Sequence, residues 1–256
     1  MPIIGVIPAR GGSQRLPGKN IRPILGKPLV AYTIEAALEA STLARVIVST
    51  DDDEIARISR DFGAEVVMRP KELASATAPI DDALRHVVDF LRENEGLSIE
   101  AVVSMQANNP VRKGGEIDDV VRRLIATPWA TAVATAYKLS ERPEWAKIVI
   151  DEQTMEIRPF MDAGTMYRMQ DLRRLYLLDG ATIAVPTEVL QKAAGDGRVH
   201  VYLGERIVIE VHDPMYAVEI DELEDVQLAE FYLARWPRTI AQRLHGGSAP
   251  LTPARS

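Results

Sequence analysis

The chain has 256 residues, 46% of them hydrophobic, and its 37 acids outnumber 30 bases for a net charge of −7. That length holds one large α/β core or two small ones, and the acidic balance argues against general nucleic-acid affinity. Cysteine is absent, which removes disulfides and thiolate chemistry. No apolar run approaches the length of a membrane span. The first residues enter a strand without a basic, apolar leader, so a soluble cytoplasmic protein with no membrane partner is expected.

Ile3–Ile7 reads as a short buried strand. It runs into Ile7-Pro-Ala-Arg-Gly-Gly-Ser-Gln-Arg-Leu-Pro-Gly-Lys-Asn20, whose three glycines and two prolines exclude regular structure. Pro28 to Ala40 reads as a helix with Pro28 at its first position. Arg45–Ser49 is a second buried strand. Asp52 to Phe62 is a short helix closed by Gly63, and Glu65–Met68 is a third strand. Pro79 to Leu91 is a helix with Ile80, Ala83, Leu84, Val87, Val88 and Leu91 on its apolar side. Ile99–Met105 is a fourth strand.

This alternation with short connections predicts an α/β fold, a mixed but mainly parallel sheet with helices on both faces. Ligands of such sheets bind at the carboxyl ends of the strands. Arg10 to Asn20, Ser49 to Asp53, Arg69 and Gln106 to Arg112 all follow predicted strands, so one crevice is expected to collect them. The second half is less regular. Gly114–Ala126 is a helix and Ala130–Tyr137 a strand, whereas residues 140–167 show no firm period. Gly180–Val185, Val199–Leu203 and Arg206–Glu210 read as strands, with a helix opening at Pro186. Val218–Ile220 leads into a helix over Glu222–Arg235. No repeat or linker divides the chain, so a single domain over 1–236 is expected, followed by a mobile tail over 237–256.

The first loop carries the strongest chemical signal. Arg10, Arg15 and Lys19 stand on it with no acid between Pro8 and Asn20. Glycines let backbone N–H groups approach an anion, and guanidinium and ammonium groups suit phosphate oxygens. The spacing is not that of a P-loop, because five residues separate Gly12 from Gly18-Lys19 and Asn20 replaces the metal-binding hydroxyl. The dinucleotide fingerprint is absent too. The alternative is a solvated surface loop.

Ala9-Arg-Gly-Gly-Ser-Gln-Arg-Leu-Pro-Gly-Lys-Asn20 resembles the signature of the acylneuraminate (CMP-sialic acid and nonulosonate) cytidylyltransferases, with octulosonate cytidylyltransferases as more distant cousins. Further stretches are similar in the same order. Val48-Ser-Thr-Asp-Asp52 matches a strand-end segment, and Arg69-Pro-Lys-Glu-Leu-Ala-Ser-Ala-Thr77 matches Arg-Pro-x-Glu-Leu-Ala. Met105-Gln-Ala-Asn-Asn-Pro-Val-Arg112 stands where the family has Gln-Pro-Thr-Ser-Pro-Leu-Arg. Arg168 to Ala181 resembles Arg-x-Gln-Asp-Leu-Pro-x-x-Tyr-x-x-Asn-Gly-Ala, and Val218-Glu-Ile-Asp221 takes the place of Asp-Ile-Asp.

The resemblance implies a Rossmann-like nucleotidyltransferase fold and a Mg²⁺-dependent enzyme that activates an acidic keto-sugar with CTP. It implies a homodimer with an arm around residues 138–175. Arg10, Arg15, Lys19 and Asp221 would be catalytic. Ala9, Gly11, Gly12, Asn20, Arg69 and Gln106 would join Arg10 in binding the nucleotide, and Arg168, Gln170 and Asp179 would contact the sugar. Asp221, Glu219 and Asp51 would hold the metal. Glu219 and Asp221 alternate, so both face one side with Ile220 opposite. Two roles are open to Asp221, metal ligand or helix N-cap, and the same two to Asp51 and Asp52. Asp179, Asn108 and Glu219 depart from the family's pattern. Other readings are a nucleotidyltransferase for an octulosonate or a sugar 1-phosphate, and a nucleotide-binding module without turnover. His86, His200, His212 and His245 show no metal spacing.

Overall fold

A computed structural model describes residues 1–141, 143–161 and 173–245, with residues 236–245 described by backbone alone. In chain order the elements are β1 (Ile3–Pro8), β2 (Pro23–Ile24), β3 (Lys27–Pro28), α1 (Leu29–Glu39), β4 (Arg45–Thr50), α2 (Asp53–Asp61), β5 (Glu65–Met68), α3 (Ile80–Glu95) and β6 (Ala101–Ser104). They continue as α4 (Gly114–Ala126), β7 (Ala132–Lys138), β8 (Lys147–Asp151), β9 (Glu156–Pro159), β10 (Tyr176–Pro186), α5 (Thr187–Lys192), β11 (Ile207–Val211) and α6 (Leu223–His245).

Seven strands form one sheet in the order β11-β7-β10-β6-β1-β4-β5. β10 runs antiparallel to β6 and β7, and the other pairings are parallel. The expected mixed, mainly parallel sheet is what forms. Strand alternation splits the apolar residues between two faces. Val46 and Val48 of β4 join Ile34 of α1, Ile55 of α2 and Val121 of α4. Ile47 between them joins Leu84 and Leu91 of α3 and Leu190 of α5. A third cluster lies off the sheet, where Leu16, Ile24, Leu29 and Val111 meet Val218, Ile220, Val226 and Ala229. This cluster packs the start of α6 and the segment before it against the first loop.

Several expectations shift. Pro28 sits at the N-cap of α1 with ψ 139°, one residue before the helix proper. Val199–Leu203 is not a strand; a 3₁₀ turn covers Val201–Leu203. Tyr202 and Leu203 both bury in the same cluster, which consecutive strand residues cannot do because they point to opposite faces. Residues 147–159 form an unexpected hairpin. Its turn is fixed by Asp151, whose Oδ1 accepts from the Gln153 and Thr154 N–H groups at 2.8 and 3.1 Å. The boundary drawn at residue 236 falls inside α6.

The end of α1 is anchored by a buried carboxylate on α4. Asp118 accepts from the N–H and hydroxyl of Ser41 at 3.2 and 2.7 Å, and from those of Thr42 at 2.9 and 2.7 Å. Burial disfavours its charge, but the four bonds outweigh it and hold its pKa down to about 2. A depressed carboxyl stabilises the fold above its unfolded value and loses that contribution as pH falls through the folded one. Asp118→Asn should therefore cost about 2 kcal/mol at neutral pH. In urea titrations the gap to the native protein should close as pH drops from about 4 to about 2. A gap independent of pH would assign the cost to shape rather than charge.

Candidate active site

The first loop is braced from beneath. The Ala9 N–H bonds the Ser49 carbonyl at 2.9 Å, and the Gly11 N–H donates to Asp51 Oδ1 at 3.1 Å. A Cβ on Gly11 would lie 2.7 Å from Asp52 Oδ2, so only glycine passes there. Asn20 Nδ2 donates to the Arg10 carbonyl at 2.8 Å, and Arg10 Nη1 reaches the Ser75 carbonyl at 2.8 Å. Gly18, at φ +66°, turns the chain into the single 3₁₀ turn Lys19–Ile21. Gly12 has open space where a side chain would begin.

Asp51 and Asp52 serve the backbone. Asp51 takes the Gly11 N–H, and Asp52 Oδ1 caps α2 by accepting from Glu54 and Ile55 N–H groups, each at 2.9 Å. Asp51 does not line the cleft. Arg69 is 8% exposed, with no hydrogen-bond partner for its Nε among the described residues. Burial pushes its guanidinium pKa down, the Asp51 charge opposes that, and Arg10 adds to it. Arg69 is not among the residues that line the cleft described next.

One cleft of about 210 Å³ lies at the carboxyl ends of β1 and β6. Arg10, Arg15, Lys19, Gln106, Glu219 and Asp221 line it, together with Asn20 and Asn108. Asp221 is the counterion of the loop: Oδ1 accepts from Lys19 Nζ at 2.8 Å and Oδ2 from Arg15 Nη2 at 2.5 Å. Burial opposes its charge, yet the Lys19 and Arg15 contacts hold its carboxyl below the ordinary value. Asp221 does not cap α6. Asp225, the third residue of α6, reaches back from inside the helix, and its Oδ2 accepts from the N–H groups of Asp221 and Glu222 at 2.9 and 2.8 Å.

Glu219 also faces the cleft, and its Oε1 accepts from Asn108 Nδ2 at 2.9 Å. The segment carrying Glu219 and Asp221 is extended without being a ladder strand. Ile220 is fully buried and donates its N–H to the Asn108 carbonyl at 2.8 Å, so alternation still places both acids on one side. Among the described residues, no group of three or more acidic or histidine side chains is arranged to hold a metal by itself.

Asp179 does not line the cleft. Its Oδ1 accepts from Thr135 Oγ1 at 2.6 Å and the Ala181 N–H at 2.9 Å, and its Oδ2 is bonded to His212 Nε2. Asp179 is 9% exposed, and these three groups occupy most of its acceptor positions. Arg168 and Gln170 lie outside the described residues. Sequence reading placed Arg112 near the crevice but missed Thr135 and His212 as part of this environment. Those two come from separate elements, and no spacing rule links them.

Residues 4–182 match the family model of the cytidylyltransferases. The chain is 37% identical over 162 residues to the CMP-N,N'-diacetyllegionaminic acid synthase of Legionella pneumophila, a stretch covering 62% of this chain and 67% of that one. It is 36% identical over 120 residues to the N-acylneuraminate cytidylyltransferase of Escherichia coli, covering 47% of this chain and 27% of that longer one. A solved structure of CMP:2-keto-3-deoxy-manno-octonic acid synthetase complexed with CTP aligns with a TM-score of 0.69 at 20% identity, over 92% of this chain and 100% of that one. At such identity the likeness shows the fold.

The two acids at the head of α6 should separate cleanly by mutation. Asp225→Ala should destabilise by about 1 kcal/mol, the scale of the two lost bonds that tie the head of the helix to the segment before it. Asp221→Asn should leave the unfolding free energy within about half a kcal/mol of native, as expected for a partly exposed ion pair whose Arg15 end is open to solvent. Equal losses for both would return the capping role to Asp221.

Proposed function

The chain belongs to the cytidylyltransferase family, and on that premise we propose that it transfers CMP from CTP to an acidic keto-sugar of sialic, legionaminic or pseudaminic type, releasing pyrophosphate. The observation that carries this reading is the cleft at the strand ends, where Arg10, Arg15 and Lys19 of one glycine-rich loop face Asp221. Nucleotidyl transfer asks for charge neutralisation and alignment more than covalent chemistry. Arg15 and Lys19 hold the triphosphate and meet the charge that develops on departing pyrophosphate. Gln106, on the opposite wall, is the base or ribose contact. The cleft volume is below the roughly 300 Å³ of ordinary ligand pockets, which suits the phosphates, with the sugar extending beyond.

The donor set fits Mg²⁺. That ion takes one or two carboxylates and completes its shell with phosphate oxygens and waters, so Asp221 and Glu219 suffice without a third protein ligand. When bound, the ion would neutralise phosphate charge and align the leaving group. The protein's own part is to keep Asp221 ionised beside Lys19 and to hold Glu219 in place through Asn108. A homodimer belongs to the same reading. It is supported by the exposed apolar residues of the β8–β9 hairpin, among them Val149, Ile150 and Ile157. So does a cytoplasmic location; among the described residues no helix is long and apolar enough to cross a membrane.

A pyrophosphate-release screen crossing CTP, UTP, GTP and ATP with sialic, legionaminic, pseudaminic and octulosonic acids tests the activity. Turnover is expected with CTP and a nine-carbon acid. Release only with another nucleotide, or only with the octulosonic acid, would overturn the assignment. Asp221→Asn gives a second measure. Its turnover should fall about a hundredfold or more, the scale of losing a group that acts in the transition state. Calorimetry in a metal chelator should show CTP binding no weaker than native, because Arg15 and Lys19 are freed from their internal counterion. Weaker metal-free binding would mean that Asp221 orders the loop instead of competing with the ligand.

A further inference from the structure

His212 follows β11, with its N–H bonded to the Ala136 carbonyl at 3.0 Å and its ring stacked on Tyr216 at 5.7 Å. Its Nε2 meets Asp179 Oδ2, and the two side chains are only 11% and 2% exposed. Burial pushes the Asp179 carboxyl up, but the bonds from His212 and Thr135 outweigh it and hold the group below its ordinary value. An ionised Asp179 only accepts hydrogen bonds, so Nε2 of His212 carries the proton.

The position of Asp179 matters because of its neighbour. The pairing of β10 with β7 shifts register between Leu178 and Ile183. Thr135 Oγ1 accepts from the Thr182 N–H at 3.0 Å and donates to Asp179, so the bulge is pinned at both ends. Within it Gly180 adopts φ +67°, and a Cβ there would overlap Gln106 Nε2. The Gln106 side chain therefore rests directly on the Gly180 backbone, with its other side toward the cleft. Beneath Gln106 lies Arg112, whose Nη2 donates to the Gln106 carbonyl at 3.1 Å while Nε and Nη1 have no hydrogen-bond partner among the described residues. The Asp179 and Arg112 charges act on each other, and burial pushes the Arg112 pKa down to about 10.

We infer that His212 is a positioning residue of the cleft: its bond to Asp179 fixes the 179–182 bulge against which Gln106 is seated, and so sets how tightly and selectively the nucleotide is held. Without His212, Asp179 keeps a buried charge with one oxygen unbonded, beside the half-satisfied Arg112 guanidinium whose charge acts on it. The carboxylate is drawn toward Arg112 and takes the Gly180 backbone with it. The resembled family has asparagine where this chain has Asp179; the structure shows that this chain pairs the acid with a histidine. The inference rests on the reading of the cleft as a CTP site.

The test compares native protein, His212→Ala, and the double variant Asp179→Asn with His212→Ala, all well below their melting temperatures. His212→Ala should raise KM for CTP and reduce the preference for CTP over UTP by about tenfold each, the scale of one hydrogen bond to a charged group. Its kcat should move much less. The double variant, whose neutral amide is not drawn to Arg112, should recover KM and preference to near native. The Gln106 side-chain amide NMR signal, assigned by its loss in Gln106→Ala, should shift in His212→Ala and return in the double variant. A lower melting temperature with native KM, preference and amide signal would reduce His212 to a structural role and overturn the inference. If the native protein does not use CTP, the activity reading fails on its own, and the amide signal still decides whether His212 seats Gln106.

Discussion

Arg15 and Lys19 stand on a turn that has no acid of its own, and the carboxylate that balances them belongs to Asp221, 206 and 202 residues further along the chain. Cations this close repel one another, and Lys19 is 14% exposed, so water screens it poorly. An anion between the two cations relieves that repulsion. Asp221 supplies that anion in the protein alone, and a triphosphate supplies it during the reaction. For a triphosphate to reach Arg15 and Lys19, this same carboxylate has to give them up. Affinity and readiness are thus set against each other through one side chain.

The departures from the family's pattern make sense in pairs. Asn108 and Glu219 each replace a shorter residue, and in the structure the amide of the first bonds the carboxylate of the second at 2.9 Å. A longer acid on the cleft wall would have several rotamers; the asparagine holds it in one of them. Asp179 and His212 repeat the logic away from solvent, where a charge introduced in place of an amide needs a proton donor of its own. In both pairs the substitution that looks disabling in isolation is met by a partner more than thirty residues away.

Legibility in the sequence followed the range of the interactions. The first half was readable because its signals are local: periodic helices, short apolar strands, and glycines where the loop needs them. Asp52 could be seen as a cap or a ligand, and only the Glu54 and Ile55 N–H contacts decided between them. Asp221 likewise read as a cap or a ligand, and only its contacts with Lys19 and Arg15 showed what its carboxylate faces. Tyr202 and Leu203 read as strand because periodicity over two residues carries no information about which face is buried. His212 gave no sign at all, because the carboxylate it bonds is 33 residues away in the chain and two strands away in the sheet.

The third apolar cluster explains how such distant partners are brought into register. Leu16 and Ile24 flank the basic part of the loop, and Val218, Ile220, Val226 and Ala229 flank Asp221, all in one cluster. Burial of aliphatic side chains supplies far more free energy than a half-exposed ion pair. The apolar contacts therefore bring Asp221 to Lys19, and the ion pair follows. That order also keeps the site adaptable. The carboxylate can change partners without loosening the segment that carries it, because Ile220 holds that segment by its buried side chain and by its N–H bond to the Asn108 carbonyl at 2.8 Å. The scaffold is fixed by apolar packing and backbone hydrogen bonds, which leaves the charges of the cleft free to respond to the substrate.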